Sequence, residues 1–208
     1  FLKPLIPDKI ELHNLYIIPI QSRCMALLLW IIIAIIVVIA LIFIYYFNRF
    51  TVLSNRIDNS LSQIDVQLKK RADLVPNLLE TVKGYAKHEK SIMLEVTKAR
   101  ASVLSASGIQ DKMKAGVKLQ TALGSLFAVA ENYPQLKANE NFAQLQQELA
   151  AIEDKIAYSR QFYNDSILSY NNSVETFPGT FFARMYSHKE KPFLEIPAEQ
   201  KAVPKVSF

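Results

Sequence analysis

The chain has 208 residues, 50% of them hydrophobic, with five glycines, nine prolines and one cysteine. This length allows one folded domain plus additional segments, the scarcity of glycine favours long helices over sandwiches or barrels, and a lone Cys24 excludes a secreted fold built on internal disulfides. The formal charge of +5 is mild, and no aromatic interleaves the cations between residues 86 and 118, so no nucleic-acid surface is expected.

In chain order, residues 1–25 show no folding signature. They read as an N-terminal extension, unstructured or lying upstream of a start at Met25, which directly precedes an apolar run. Residues 26–47, ALLLWIIIAIIVVIALIFIYYF, hold no charge, and at about 1.5 Å per residue they cross the roughly 30 Å hydrocarbon core as a helix. Trp30 at one end and Tyr45 and Tyr46 at the other occupy the depths that aromatic rings favour, with Arg49 just beyond. A cleaved signal peptide has a shorter apolar core of about 7–15 residues and a small-residue cleavage site, so the run reads as a transmembrane anchor. Basic residues on its two sides balance. A start at Met25 leaves the near side almost without them, and the bulk of the protein is then expected in the cytoplasm.

Residues 48–190 read as a bundle of long helices. Phe50, Ile57, Leu61, Ile64, Leu68, Val75, Leu78, Val82 and Tyr85 recur three and four apart, the seam of an amphipathic helix. Arg71 occupies one seam position where an apolar residue belongs. Gly84 and AKHEKS mark a turn. A second helical pattern covers about 89–131, weakest at Gly108, and ends before Pro134. The third, about 138–176, carries Phe142, Leu145, Leu149, Ile152 and Ile156, then a seven-residue repeat starting at Ser159, Ser166 and Ser173. In that repeat Tyr163, Tyr170 and Phe177 alternate with the serines, and Asn164 and Asn171 recur beside the tyrosines. The ladder has two readings, packing within the bundle or a surface for self-association. FPGT ends the helix, a short amphipathic helix follows, and its apolar residues either cap the bundle or dip into a membrane interface beside Arg184 and Lys189. Residues 191–208 read as an extended tail. Net charge is positive over 83–118, eight basic against three acidic residues, and negative over 119–177, three against seven, which suits neighbouring helices that attract each other.

Several motifs resemble catalytic sites without completing them. HEKSI, residues 88–92, begins like a zinc-protease motif, but the second histidine falls at Ile92, so two imidazoles cannot meet one metal. Phosphate-cradling glycine loops and a Gly-x-Ser-x-Gly elbow are absent from the sequence. Glu153 and Asp154 are adjacent, hence on different helix faces, and read as a solvated acidic stretch. The stretch RADLVPNLLE contains Pro76, whose ring collides with the carbonyl of Ala72 in a regular helix. Either the helix kinks there or a new one starts with Asp73 as its cap. Asn77 and Glu80 beside the Leu78 and Val82 seam, with Arg71, read as a partly buried polar set that must be hydrogen-bonded. Arg100 and Arg160 from neighbouring helices are its expected partners.

NRIDNSLSQIDVQLKKRADLVPNLLETVKGYAKHE, SLFAVAENYPQLKANENF, YNDSILSYNNSVETFPG and PKVSF resemble, in this order, the LemA family of bacterial membrane-anchored proteins. The resemblance covers about 26–208. It implies an all-α fold, a transmembrane helix followed by an antiparallel bundle of three long helices and one short C-terminal helix, in the bacterial inner membrane, single-pass, with the bulk cytoplasmic. The motif residues it carries over are Asp73, Pro76, Asn77, Glu80, Gly84 and Tyr85, then Arg100, then Tyr163, Asn164, Tyr170 and Asn171, then Phe177, Pro178 and Gly179. Leu61 departs from a common tryptophan, and MYSH replaces an aromatic-glycine-aromatic stretch. The family's association with membrane quality control brings in a membrane metalloprotease as a further partner. No cofactor, metal or small-molecule substrate is expected. The residues favour a non-enzymatic scaffold or adaptor in the lipid bilayer that forms a homo-oligomer or binds membrane partners; the rival reading is an accessory subunit of a membrane metalloprotease.

Overall fold

The structure is a computed structural model that describes the backbone of residues 9–194 and side chains from Met25 to Leu194. Its described residues form α1 (Lys9–Tyr85), α2 (Lys90–Ser105), α3 (Ile109–Ala130), α4 (Pro134–Lys137), α5 (Glu140–Glu175) and α6 (Gly179–Met185), with no strand. The chain divides into two compact units between Arg49 and Phe50.

In the first unit the apolar run is helical and its side chains face outward, Trp30 at 70% exposure and Leu27 at 63%. Among the described residues α1 is the one helix long and apolar enough to cross a membrane. The backbone of 9–25 is helical too, where the sequence suggested no structure. Once the apolar run has nucleated a helix, each added residue gains one hydrogen bond. Residues 1–8 lie outside the described residues.

The second unit is a bundle of four longer helical segments, from α1, α2, α3 and α5, with the short α4 and α6. From α1, Phe50, Ile57, Ile64, Leu68, Val75, Leu78 and Val82 are buried, as their three-four spacing requires. Leu61 is half-buried and Tyr85, at the helix end, is 40% exposed. Along α5, Phe142, Leu149, Ile152, Ile156 and Ile167 turn inward to meet them. Each such side chain contributes roughly 1.5–3 kcal/mol of transfer free energy. Phe50 lies against Tyr170, ring centroids 6.2 Å apart, while Arg71 further along α1 reaches back to Glu153 of α5, so the two helices run antiparallel.

The all-α class and the antiparallel packing hold, while the second helical pattern divides in two. Gly108, its weakest point in the sequence, has φ 85° and ψ 156°, a backbone conformation open essentially to glycine alone. A cleft is lined by Glu95, Ala99 and Ser102 of α2 and by Val117, Thr121 and Ala122 of α3. In one continuous helix Glu95 and Ala122 would stand about 40 Å apart, so α2 and α3 fold back on each other as a hairpin. Gly116 of α3 faces α1 so closely that a Cβ there would lie 2.7 Å from Leu68 Cδ2. At the end of the bundle away from Phe50, the Asn139 side chain caps α5 by accepting from the Phe142 N–H at 3.0 Å and donates to the Tyr85 hydroxyl at 3.1 Å.

Candidate functional site

Three polar constellations use most of the residues singled out by the sequence. The first is at Pro76. α1 runs unbroken through Asp73 and Pro76 to Tyr85, so no helix starts at Asp73, which is exposed and pairs with Lys69 at 3.6 Å. Proline has no N–H to give to the carbonyl four residues back, which is that of Ala72. Arg100 of α2 supplies the missing donor, its Nε donating to the Ala72 carbonyl oxygen at 2.7 Å. Arg100 therefore serves the α1 backbone and does not bond Asn77 or Glu80.

The second is Arg71. Only 2% exposed, it pairs through its guanidinium with Glu153 of α5. Burial lowers its pKa from the ordinary arginine value to about 10, which leaves it cationic at neutral pH, and its Nε has no partner among the described residues. Glu153, which the sequence placed on a solvated face, is half-buried, while neighbouring Asp154 is exposed. Arg160 lines the same crevice with Arg71, Gly116, Gln120 and Glu153. The signal for Glu153 was Arg71 itself: a cation on an apolar seam calls for an anion on a facing helix, and Glu153 sits between seam residues Ile152 and Ile156.

The third lies where α5 meets the chain beyond α6. Asn171 exchanges two hydrogen bonds with the backbone of Lys191, its Nδ2 donating to the carbonyl at 2.9 Å and its Oδ1 accepting from the N–H at 2.9 Å. Asn164 does the same with Leu194, at 3.2 and 2.9 Å. Seven residues of helix rise about 10.5 Å and three of extended chain advance about 10 Å, so asparagines a heptad apart match a strap at every third residue. Tyr163 donates to the Pro192 carbonyl at 3.3 Å, and Leu194 is buried at 3% exposure. The Tyr170 hydroxyl meets His188 Nδ1 at 3.1 Å, and the His188 ring lies 4.7 Å from that of Phe50. The Lys191 ammonium sits 5.0 Å above the Tyr170 ring and donates to Ser54 Oγ at 3.2 Å. Burial raises the pKa of Tyr163, with help from Asp58, and that of Tyr170. Burial, and then the Lys191 charge, lower that of His188. The buried tyrosines and the asparagines of the ladder thus hold the chain's own strap. Phe177, the third aromatic of the repeat, stands 87% exposed, while Gly179 is buried at the start of α6. The tail beyond residue 194 lies outside the described residues.

Asn77 and Glu80 are exposed, which corrects their reading as a partly buried set. Inward positions 71, 75, 78 and 82 fix the phase of α1, and 73, 77, 80 and 84 fall on the opposite side. Asp73, Asn77, Glu80 and Gly84, with Pro76 beside them, therefore form an outward stripe. His88 is exposed as well, and no group of three His, Cys, Asp or Glu side chains converges among the described residues.

A family model described as the LemA family matches residues 60–208. The chain is 25% identical over 175 residues to magnetosome protein MamQ 2 of Paramagnetospirillum magneticum, covering 72% of this chain and 64% of that protein. It is 26% identical over 179 residues to magnetosome protein MamQ of Magnetospirillum gryphiswaldense, at 73% and 66% coverage. It is 28% identical over 127 residues to the protein LemA of Metamycoplasma hominis, at 59% and 57%. The chain spans between 57% and 66% of the length of these relatives.

Proposed function

The chain belongs to the LemA family, and on that premise we propose that it is a membrane-anchored, non-enzymatic scaffold whose bundle assembles with further copies in the bilayer. The observation that supports this reading is the division of labour among the motif residues. Arg100, which serves the carbonyl that Pro76 leaves without a donor, and Tyr85, Tyr163, Asn164, Tyr170 and Asn171 are engaged in holding helices and strap together. Asp73, Asn77, Glu80 and Gly84 face outward on α1, where the bundle does not need them. A polar stripe broken by a small residue lets a second helix approach closely and offers it hydrogen bonds at fixed register.

The test is the mass of the full chain in mild detergent, corrected for bound detergent, with and without Asn77→Ala and Glu80→Ala together. A discrete multiple of the 23.6 kDa chain is expected, collapsing to monomer in the double variant with helicity and melting unchanged. A monomeric wild-type protein would remove self-assembly, and an unchanged mass in the variant would remove the stripe as its surface.

A further inference from the structure

The seven-residue α6 has two apolar sides. Phe182 and Ala183 are buried where it packs on α5. Phe181 and Met185 are 58% and 46% exposed, beside the still more exposed Phe177. Arg184 and Lys189 flank them, exposed and without an ion pair among the described residues. Glu175 and Glu190 are the acidic residues of this segment, so its α6 portion carries cationic charge only.

The chain itself says what this face can reach. Phe50 packs on Tyr170 and His188, residues on either side of α6, so α6 belongs to the end of the bundle where α1 enters. Phe50 is the third residue after Phe47, the last of the apolar run, and three residues of chain extend at most about 11 Å. Large apolar side chains bordered by arginine and lysine fit the headgroup boundary of a bilayer, where apolar groups leave water and cations meet phosphates. We propose that the segment from Phe177 to Met185 docks into the phospholipid interface as a second membrane contact, with Phe177, Phe181 and Met185 entering the acyl boundary and Arg184 and Lys189 on lipid phosphates. This rests on the reading of 26–47 as a membrane anchor.

Trp30 is the chain's one tryptophan, which makes indole fluorescence selective. The full chain carrying Trp30→Phe and Phe181→Trp is reconstituted into phosphatidylcholine and phosphatidylglycerol vesicles whose acyl chains are brominated near the headgroup. The expected result is a blue-shifted emission that loses most of its intensity to the bromines. Phe162→Trp in the same background, about 22 Å back along α5, is expected to keep its emission. Met185→Trp serves as the reporter if Phe181→Trp lowers helicity. Quenching of Trp30 in the unaltered protein without quenching at position 181 overturns the docking and leaves the anchor standing. A blue shift without quenching means that protein covers the face, and overturns it as well. Absence of quenching at Trp30 itself overturns the anchor reading, and the docking with it.

Discussion

Arg71 is a cation on an apolar seam, and its cost is met by one carboxylate. A buried charge that loses its partner destabilises by about 3–5 kcal/mol. Glu153 is a third exposed, so the lower end of that range is expected for Glu153→Ala, read as a fall in stability in chemical denaturation of the full chain in detergent. Arg71→Met combined with Glu153→Ala returns most of the loss, because an apolar side chain needs no counter-ion. Arg100 is a second case with a different acceptor. Arg100→Met leaves the Ala72 carbonyl without its donor and is expected to cost about 1–3 kcal/mol. Pro76→Ala restores an amide N–H to that carbonyl, so the same Arg100 substitution should cost clearly less in the Pro76→Ala background. Coupling of the two in a double-mutant cycle is the measurement; strict additivity would show that Arg100 acts elsewhere.

Among the elements, the α2–α3 hairpin depends on a single backbone conformation. Gly108 at φ 85° meets no neighbour where a Cβ would stand, so the difficulty of a substitution there is conformational and not one of packing. Gly108→Ala is expected to cost about 1–3 kcal/mol, read as a lower melting temperature and faster amide exchange in α2 and α3 relative to α1 and α5. The strap is an element of another kind: it has no secondary structure of its own and takes its hydrogen bonds from side chains of α5, those of Asn164, Asn171 and Tyr163. Where such a chain leaves water, as at Leu194, its N–H and carbonyl need partners, and the heptad spacing of Asn164 and Asn171 places an amide at the backbone of Lys191 and of Leu194.

At the scale of the whole molecule, His188 joins α1, α5 and the strap through Phe50, Tyr170 and its own segment. Burial and the Lys191 charge hold its pKa in the folded protein below the ordinary 6.5. Above pH 6.5 the imidazole is neutral in both states and the folded state keeps its full stability. As pH falls from 6.5 through the lowered folded value, the unfolded chain takes up the proton first and stability is lost. Thermal melts of the full chain in detergent are expected to fall over that window, and His188→Gln should flatten the fall. An identical pH profile in the variant would place the dependence on other groups.

The sequence by itself determined the elements. The apolar run, the three-four seam of α1 interrupted at Arg71, the turn after Gly84 and the seam of α5 are local patterns, and local patterns fix which residues are helical and which face turns inward. The same seam sets Asn77 and Glu80 on the outward side of α1, so their reading as a partly buried set ran against a helix phase that the sequence already held. What tertiary structure alone decided is the identity of each polar partner. Arg71 and Glu153 lie 82 residues apart, Arg100 and Ala72 28 apart, Asn164 and Leu194 30 apart. No periodicity links such positions, because a buried donor takes whichever acceptor the packing of the helices brings to it. The reversal at Gly108 belongs with them. The same glycine is tolerated within a helix at about 1 kcal/mol, and only the burial gained by folding α3 back against α2 and α1 selects the turn.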